Sequence, residues 1–130
     1  MVTLGVKDSF IEVGGDVKVF GGLPDGKPWE VLLDSYAGDN KLIKIYNGSI
    51  STSGKFTKRY FTSVKNKKIF YIVDPTTSSF NDYYTRITVI GDDLSICDSL
   101  STACFNVPPQ YFKEFINSFS NYSFDVSQPL

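Results

Sequence analysis

The apolar residues between Thr85 and Phe105 change period once, and that change dictates what this part of the chain can build. Thr85-Arg-Ile-Thr-Val-Ile90 is rich in β-branched residues and predicts a strand. Gly91-Asp92-Asp93 then supplies a turn. Beyond it Leu94, Cys97, Leu100, Ala103 and Cys104 recur at spacings of three and four, which places them on one face of a helix. Asp92 or Asp93 stands where an N-cap acceptor is wanted. Asp98 and Thr102 are four apart, so they lie one turn above the other. A carboxylate and a hydroxyl stacked in this way can offer two oxygens to a hard cation such as Mg²⁺. On spacing alone the simpler reading is a surface Asp, with the Thr bonded back to a helix carbonyl.

Composition narrows the chemistry. The 130 residues contain no histidine. That excludes Ser-His-Asp and Cys-His catalysis within the chain, the usual zinc sites and histidine as a general base. A hydrophobic content of 42% with 15% aromatics argues for a folded protein, and the length for one domain spanning 1–130. The net charge of −1 gives no long-range attraction to nucleic acid or to an anionic membrane. No apolar run is long enough for a transmembrane helix, and the start carries no signal peptide. Cys97 and Cys104 fall about 10 Å apart along the same helix axis, too far for a disulfide, and read as core residues.

The rest of the chain predicts mostly short strands. Residues 1–8 read as the last turn of a helix closing at Gly5. Ser9–Val13 and Val17–Phe20 are strands around Gly14-Gly15-Asp16, where two glycines permit positive φ, a bulge or a close approach of backbone to a neighbour or ligand. Gly21–Pro28 is a loop and Trp29–Asp34 a buried strand. Leu42–Tyr46 is a strand, and Asn47-Gly48 is the strongest hairpin signal in the chain. Ser49–Gly54 follows, rich in small hydroxyls. It reads as an edge strand with satisfied hydroxyls or as a place where a ligand approaches. Residues 58–64 and 67–73 form a hairpin around Lys65-Asn66, with aromatics that follow strand period and belong to the core. Lys65, Lys67 and Lys68 are a solvated tip. Residues 74–79 are a polar loop. Pro108-Pro109 opens a second helix, Gln110–Phe119, with Phe112, Phe115, Ile116 and Phe119 as its core stripe, and residues 122–126 are a last strand. The expected class is α+β: a mostly antiparallel, meandering sheet with two C-terminal helices packed on it.

Five of these runs, taken in order, resemble the ApbE family of FAD:protein FMN transferases. They are Gly14-Gly15-Asp16, Asp25-Gly-Lys-Pro-Trp29, Ser51-Thr-Ser-Gly54, Tyr71-Ile-Val-Asp-Pro75 with Thr77, and Asp98-Ser-Leu-Ser-Thr-Ala103. Family members read approximately Gly-Gly-Asp, Asp-Gly-Lys-Pro-Trp, Thr-Ser-Gly, His-Ile-Ile-Asp-Pro-Arg-Thr-Gly and Asp-Ala-Leu-Ala-Thr-Ala at these places. The family's histidine falls on Tyr71 and its arginine on Thr76. Members are about twice this length, and this chain resembles their C-terminal half.

The resemblance implies Mg²⁺-dependent transfer of FMN from FAD, as substrate, to a threonine hydroxyl of an acceptor flavoprotein. It implies Asp98 and Thr102 as metal ligands. Gly14, Gly15 and Asp16, with Thr52, Ser53, Gly54 and Thr77, would bind the flavin nucleotide, and Tyr71 and Asp74 would occupy catalytic positions. A homodimer or a second chain would supply the missing half. Family members often act in the periplasm or anchored to a membrane. Two other expectations are open to a chain with these departures: a flavin- or partner-binding module without chemistry, and a structural subunit that pairs with another chain.

Overall fold

The structure, a computed structural model, describes residues 5–33, 40–55, 62–64 and 67–128. Nine strands and two helices follow in the order β1 Ser9–Val13, β2 Asp16–Phe20, β3 Trp29–Leu33, β4 Lys41–Ile45, β5 Gly48–Gly54, β6 Thr62–Val64, β7 Lys67–Ile69, β8 Arg86–Gly91, α1 Leu94–Ala103, α2 Pro109–Asn117 and β9 Ser123–Ser127. A 3-10 turn, Cys104–Asn106, links the helices. The class is α+β, as the sequence predicts.

The main sheet has the order β1-β2-β5-β8-β9, and every pair in it is antiparallel. β3 with β4, and β6 with β7, form separate two-stranded ribbons. The meander is therefore interrupted by two excursions. Each leaves the sheet, pairs with itself and returns.

This topology overturns two expectations. Ser49–Gly54 is the middle strand of the sheet and not an edge, and all of β5 but Thr52 is buried. Its hydroxyls are small rather than solvated, which lets a helix lie close on them. Asn47-Gly48 makes no hairpin, because β4 pairs back to β3 while β5 pairs with β2 and β8. Gly48 instead has a φ of 147°, a conformation L-residues rarely adopt, and passes the chain from ribbon to sheet. Asn47 Oδ1 fixes the corner by accepting from Gly21 N–H at 3.0 Å.

The two faces of the sheet bury different cores. On one face Ile87 and Val89 meet Cys97, Leu100, Cys104, Phe105, Phe70, Ile72 and Tyr84. Phe112, Phe115, Ile116 and Phe119 of the second helical stripe pack against that cluster while staying partly exposed. On the other face Val17, Val19 and Ile50 meet Leu33, with Trp29, Val31, Ile43 and Ile45 from the β3–β4 ribbon around them. Asp93 is the N-cap of α1, its carboxylate accepting from Ile96 N–H at 3.1 Å. Ala103, expected on the buried stripe, is exposed, because the helix tightens into the 3-10 turn there.

The expected hairpin around Lys65-Asn66 is present between β6 and β7, and its two loop residues and 58–61 lie outside the described residues. Phe70–Val73 leaves that ribbon as irregular chain that still buries Phe70 and Ile72. The helical turn expected before Gly5 falls on residues 1–4, also outside the described residues. Among the described residues no helix is long and apolar enough to cross a membrane.

Candidate functional site

The site begins where one strand stops early. β1 and β2 are joined by Gly14 and Gly15, with Val13 opposite Asp16 and φ of 66° and 102° at the two glycines. Two successive positive φ values define the primed turn that matches strand twist, and only glycine adopts both without strain. Open space surrounds both glycines, so the turn requires their dihedrals and not a close neighbour. Glu12 Oε1 accepts from Gly15 N–H at 2.6 Å and stiffens the turn. β2 pairs with β5 as far as Val17 opposite Ile50, so Ser51–Gly54 has no partner from β2.

A cavity of about 690 Å³ opens at that edge. Its wall brings together Gly14, Gly15, Asp16, Thr52, Ser53, Tyr71, Asp98 and Thr102. Those residues come from four separate runs of the sequence. Gly54, Asp74 and Thr77 are not part of the wall.

Helix α1 meets β5 through a chain of hydroxyls whose proton directions can be assigned. Ser101 Oγ donates to Asp98 carbonyl oxygen at 2.9 Å. A serine has one hydroxyl hydrogen, so the 2.8 Å contact between Ser53 Oγ and Ser101 Oγ must be donated by Ser53. By the same count the 3.0 Å contact between Ser53 Oγ and Thr102 Oγ1 is donated by Thr102. The simple alternative for Thr102, bonding back to a helix carbonyl, is taken by Ser101 instead. Thr102 sends its hydrogen inward, and its oxygen keeps its lone pairs for the cavity. The carboxylate of Asp98 stands one helical turn earlier, exposed at the same wall.

On the opposite side of the sheet the wall holds a guanidinium. Arg86, at the start of β8, is 6% exposed and lines the cavity. Its Nη2 donates to Asp125 Oδ2 at 2.7 Å, while Lys41 Nζ reaches Asp125 Oδ1 at 2.5 Å. Thr52 and Thr88 pair Oγ1 to Oγ1 at 2.9 Å across the strands beside them. Glu30, also in the wall, is paired to Lys44 at 3.1 Å.

Asp74 and Thr77 sit in a loop closed on itself. Asp74 Oδ1 accepts from Thr76 Oγ1 at 2.6 Å and from Thr76 N–H at 2.8 Å, and these bonds hold its carboxyl below the usual carboxylate range. Thr77 Oγ1 meets Ser79 Oγ at 2.8 Å. Asn81 ties the loop to the end of the helical face, donating to Asp74 Oδ2 at 3.4 Å and to Asn106 Oδ1 at 3.1 Å. Tyr71 stands at the cavity wall, half exposed, its ring 4.7 Å from that of Phe70.

Residues 1–124 match the family model described as the ApbE family. The chain belongs to the ApbE family. It is 27% identical over 103 residues to a FAD:protein FMN transferase of Vibrio cholerae serotype O1, covering 75% of this chain and 30% of that protein. It is 30% identical over 101 residues to a FAD:protein FMN transferase of Chlamydia muridarum, covering 72% of this chain and 29% of that protein. Among solved structures it matches the ApbE protein of Thermotoga maritima with a TM-score of 0.78 at 24% identity, over 92% of this chain and 39% of that one. The apo flavinyl transferase ApbE of Pseudomonas stutzeri gives 0.76 at 24%, over 98% and 40%. The match thus spans under a third of the length of these curated relatives and about two fifths of the two solved chains.

Within this ApbE fold, sequence reasoning missed Arg86, Ser101 and Asp125. Arg86 was hidden inside a β-branched strand run, where an arginine reads as a solvent-facing position. A charged residue at the first position of an otherwise apolar strand was the available signal. Ser101 lay on no apolar stripe and in no carboxylate pair, and Asp125 looked like one charge in a short terminal strand.

Proposed function

We propose that this chain forms part of the site of an FAD:protein FMN transferase, one that moves FMN from FAD to a threonine hydroxyl of an acceptor flavoprotein with Mg²⁺. One observation carries the reading. Residues from four runs that resemble the family's motifs line one cavity, although they are separated by up to 88 positions (Gly14 to Thr102).

The donor set suits a hard cation in kind. Asp98 offers carboxylate oxygens and Thr102 an oxygen whose hydrogen is committed to Ser53. Two side chains are fewer than the six ligands of Mg²⁺. Among the described residues no group of three His, Cys, Asp or Glu could hold a metal. The remaining ligands come from water, from the nucleotide or from another chain segment. When bound, the metal neutralises charge on the diphosphate. In this reading Asp98 and Thr102 hold it, and Gly14, Gly15 and Asp16 form the rim against which the nucleotide lies. Thr52 and Ser53 present the floor. Gly54, Asp74 and Thr77 shape the approach from outside the wall. Tyr71 occupies the position of the family's histidine, and a phenol is less suited than an imidazole to general-base work at neutral pH.

That last feature favours a second reading, nucleotide binding without transfer. A fluorescence titration of FAD with and without Mg²⁺, beside Asp98→Ala, separates the outcomes. Saturable Mg²⁺-dependent binding that the substitution abolishes supports the site, and transfer to an acceptor flavoprotein then distinguishes enzyme from binder. Absence of binding at high micromolar FAD would count against a site within this chain.

A further inference from the structure

We infer that the main chain of Thr52 reads one ring of the nucleotide, an inference that rests on the flavin-nucleotide reading above and adds a contact to it. Strand β5 fixes which way that main chain points. Lys55 N–H donates to the carbonyl oxygen of Thr85 at 2.8 Å, and this pair follows Gly54 opposite Arg86 in the ladder with β8. In an antiparallel ladder bonded and non-bonded pairs alternate. Ser49, Ser51 and Ser53 therefore bond to β8, while Ile50, Thr52 and Gly54 turn N–H and C=O toward β2. The β1–β2 hairpin gives the same answer. Val13 and Asp16 close its turn, so Asp16 and Lys18 bond to β1, and Val17 and Val19 bond to β5, where Val17 stands opposite Ile50. The 2.9 Å approach of Thr52 Oγ1 to Thr88 Oγ1 is also that of a non-bonded pair, whose side chains lie closer.

Val17 thus answers Ile50, and β2 answers nothing beyond it. The same register would set Gly15 opposite Thr52, but Gly15 lies in the turn and its N–H goes to Glu12. Among the described residues neither the N–H nor the C=O of Thr52 has a hydrogen-bond partner. Thr52 lines the cavity and is the one residue of β5 that is not buried, so the two groups open on the cavity. They offer a donor beside an acceptor, both aimed the same way. A peptide added as a strand would need a row of such groups, and Gly54, the next in phase, lies outside the wall. A planar heterocycle needs one pair only. Its edge must carry an acceptor beside an N–H, which describes the imide edge of a flavin and the amino edge of adenine. Val31 and Leu33 of the ribbon, with Phe10 and Val17 of the hairpin, line the same cavity and supply apolar contact for the faces of such a ring.

The test leaves the protein unchanged and alters the ligand. FAD, FAD methylated on the imide nitrogen of its flavin, and FAD with a dimethylated adenine amino group are titrated, with Mg²⁺, into the intact chain. The form blocked on the ring that Thr52 reads should bind about 10-fold more weakly, since the Thr52 C=O is left without a donor. The other blocked form should match FAD, so the form that loses affinity names the ring. In an amide NMR spectrum the Thr52 N–H signal should shift downfield on addition of FAD. Thr52→Val keeps both main-chain groups and should preserve the discrimination among the three ligands. Equal affinity for all three, equal losses with both blocked forms, a Thr52 amide signal blind to FAD, or discrimination lost in Thr52→Val each overturns the inference while leaving flavin-nucleotide binding intact. Failure of FAD to bind overturns both.

Discussion

Ser53 Oγ on the central strand and Thr102 Oγ1 on the helix sit 3.0 Å apart, and Thr102 is the donor. That direction decides what Thr102 shows to the cavity, a pair of acceptor lobes rather than a hydrogen. Ser53→Ala removes the acceptor. We expect the Thr102 hydrogen to turn outward and Mg²⁺-dependent FAD binding to weaken by about 10-fold, with a stability loss of about 1 kcal/mol for the lost bonds. Isothermal titration and urea denaturation of the same preparation read the two effects separately. Unchanged Mg²⁺ dependence would reject the assigned direction.

The two ion pairs on Asp125 should differ in weight. Arg86 and Asp125 have side chains 7% and 18% exposed, whereas that of Lys41 is 54% exposed. Removing Asp125 takes a largely buried carboxylate away from a buried guanidinium, so Asp125→Ala should cost about 3 kcal/mol. Lys41→Ala should cost at most about 1 kcal/mol. Equal losses in chemical denaturation would contradict the burial argument.

Ser51 lies between Ser49 and Ser53 on β5, and its hydroxyl is buried with no hydrogen-bond partner among the described residues. Ser49 donates to Asp92 carbonyl oxygen at 3.1 Å and Ser53 is bonded as above. Ser51→Ala removes a desolvated group that gains nothing in return. Stability should rise by about 1 kcal/mol, read as a higher urea midpoint with an unchanged slope. Ser51→Val at the same position should lower it, because added methyls press on the helix.

Burial raises the two thiols, Cys97 from an ordinary 9.0 to about 11 and Cys104 to about 12. Burial likewise raises the Tyr84 phenol from 10.0 to about 12. The folded state holds these protons more tightly than the unfolded one. The stability they contribute is therefore complete below pH 9 and lost as pH rises toward 11 and 12. Urea midpoints should fall across pH 9–11, and less steeply in Cys104→Ala. Neither thiol should react with a disulfide reagent at neutral pH until the protein unfolds.

Helix α1 and its flanking strand were legible because they are local. Period, N-cap and the Asp98–Thr102 spacing are all contained in twenty residues. Gly14-Gly15 was legible as a turn for the same reason. The placement of Ser49–Gly54 was not, because small hydroxyl residues suit both a solvated edge and a centre on which a helix lies close. The partner that decides, α1, comes some forty residues later. Asn47-Gly48 misled because turn chemistry marks a reversal without naming the strand that pairs. Arg86 was illegible because its meaning depends on Asp125, thirty-nine residues away and on the neighbouring strand.

The cavity floor is the middle strand of the main sheet, paired along β8 over its last six residues, Ser49–Gly54. In amide exchange the amides of such a strand that are bonded to β8 should be among the last released, while ribbons and terminal turns open in local fluctuations. Walls built from the β1–β2 turn and the β3–β4 ribbon can therefore breathe to admit a bulky guest. The hydroxyl lattice beneath them keeps its register throughout, as a hearth stays put while the doors around it swing.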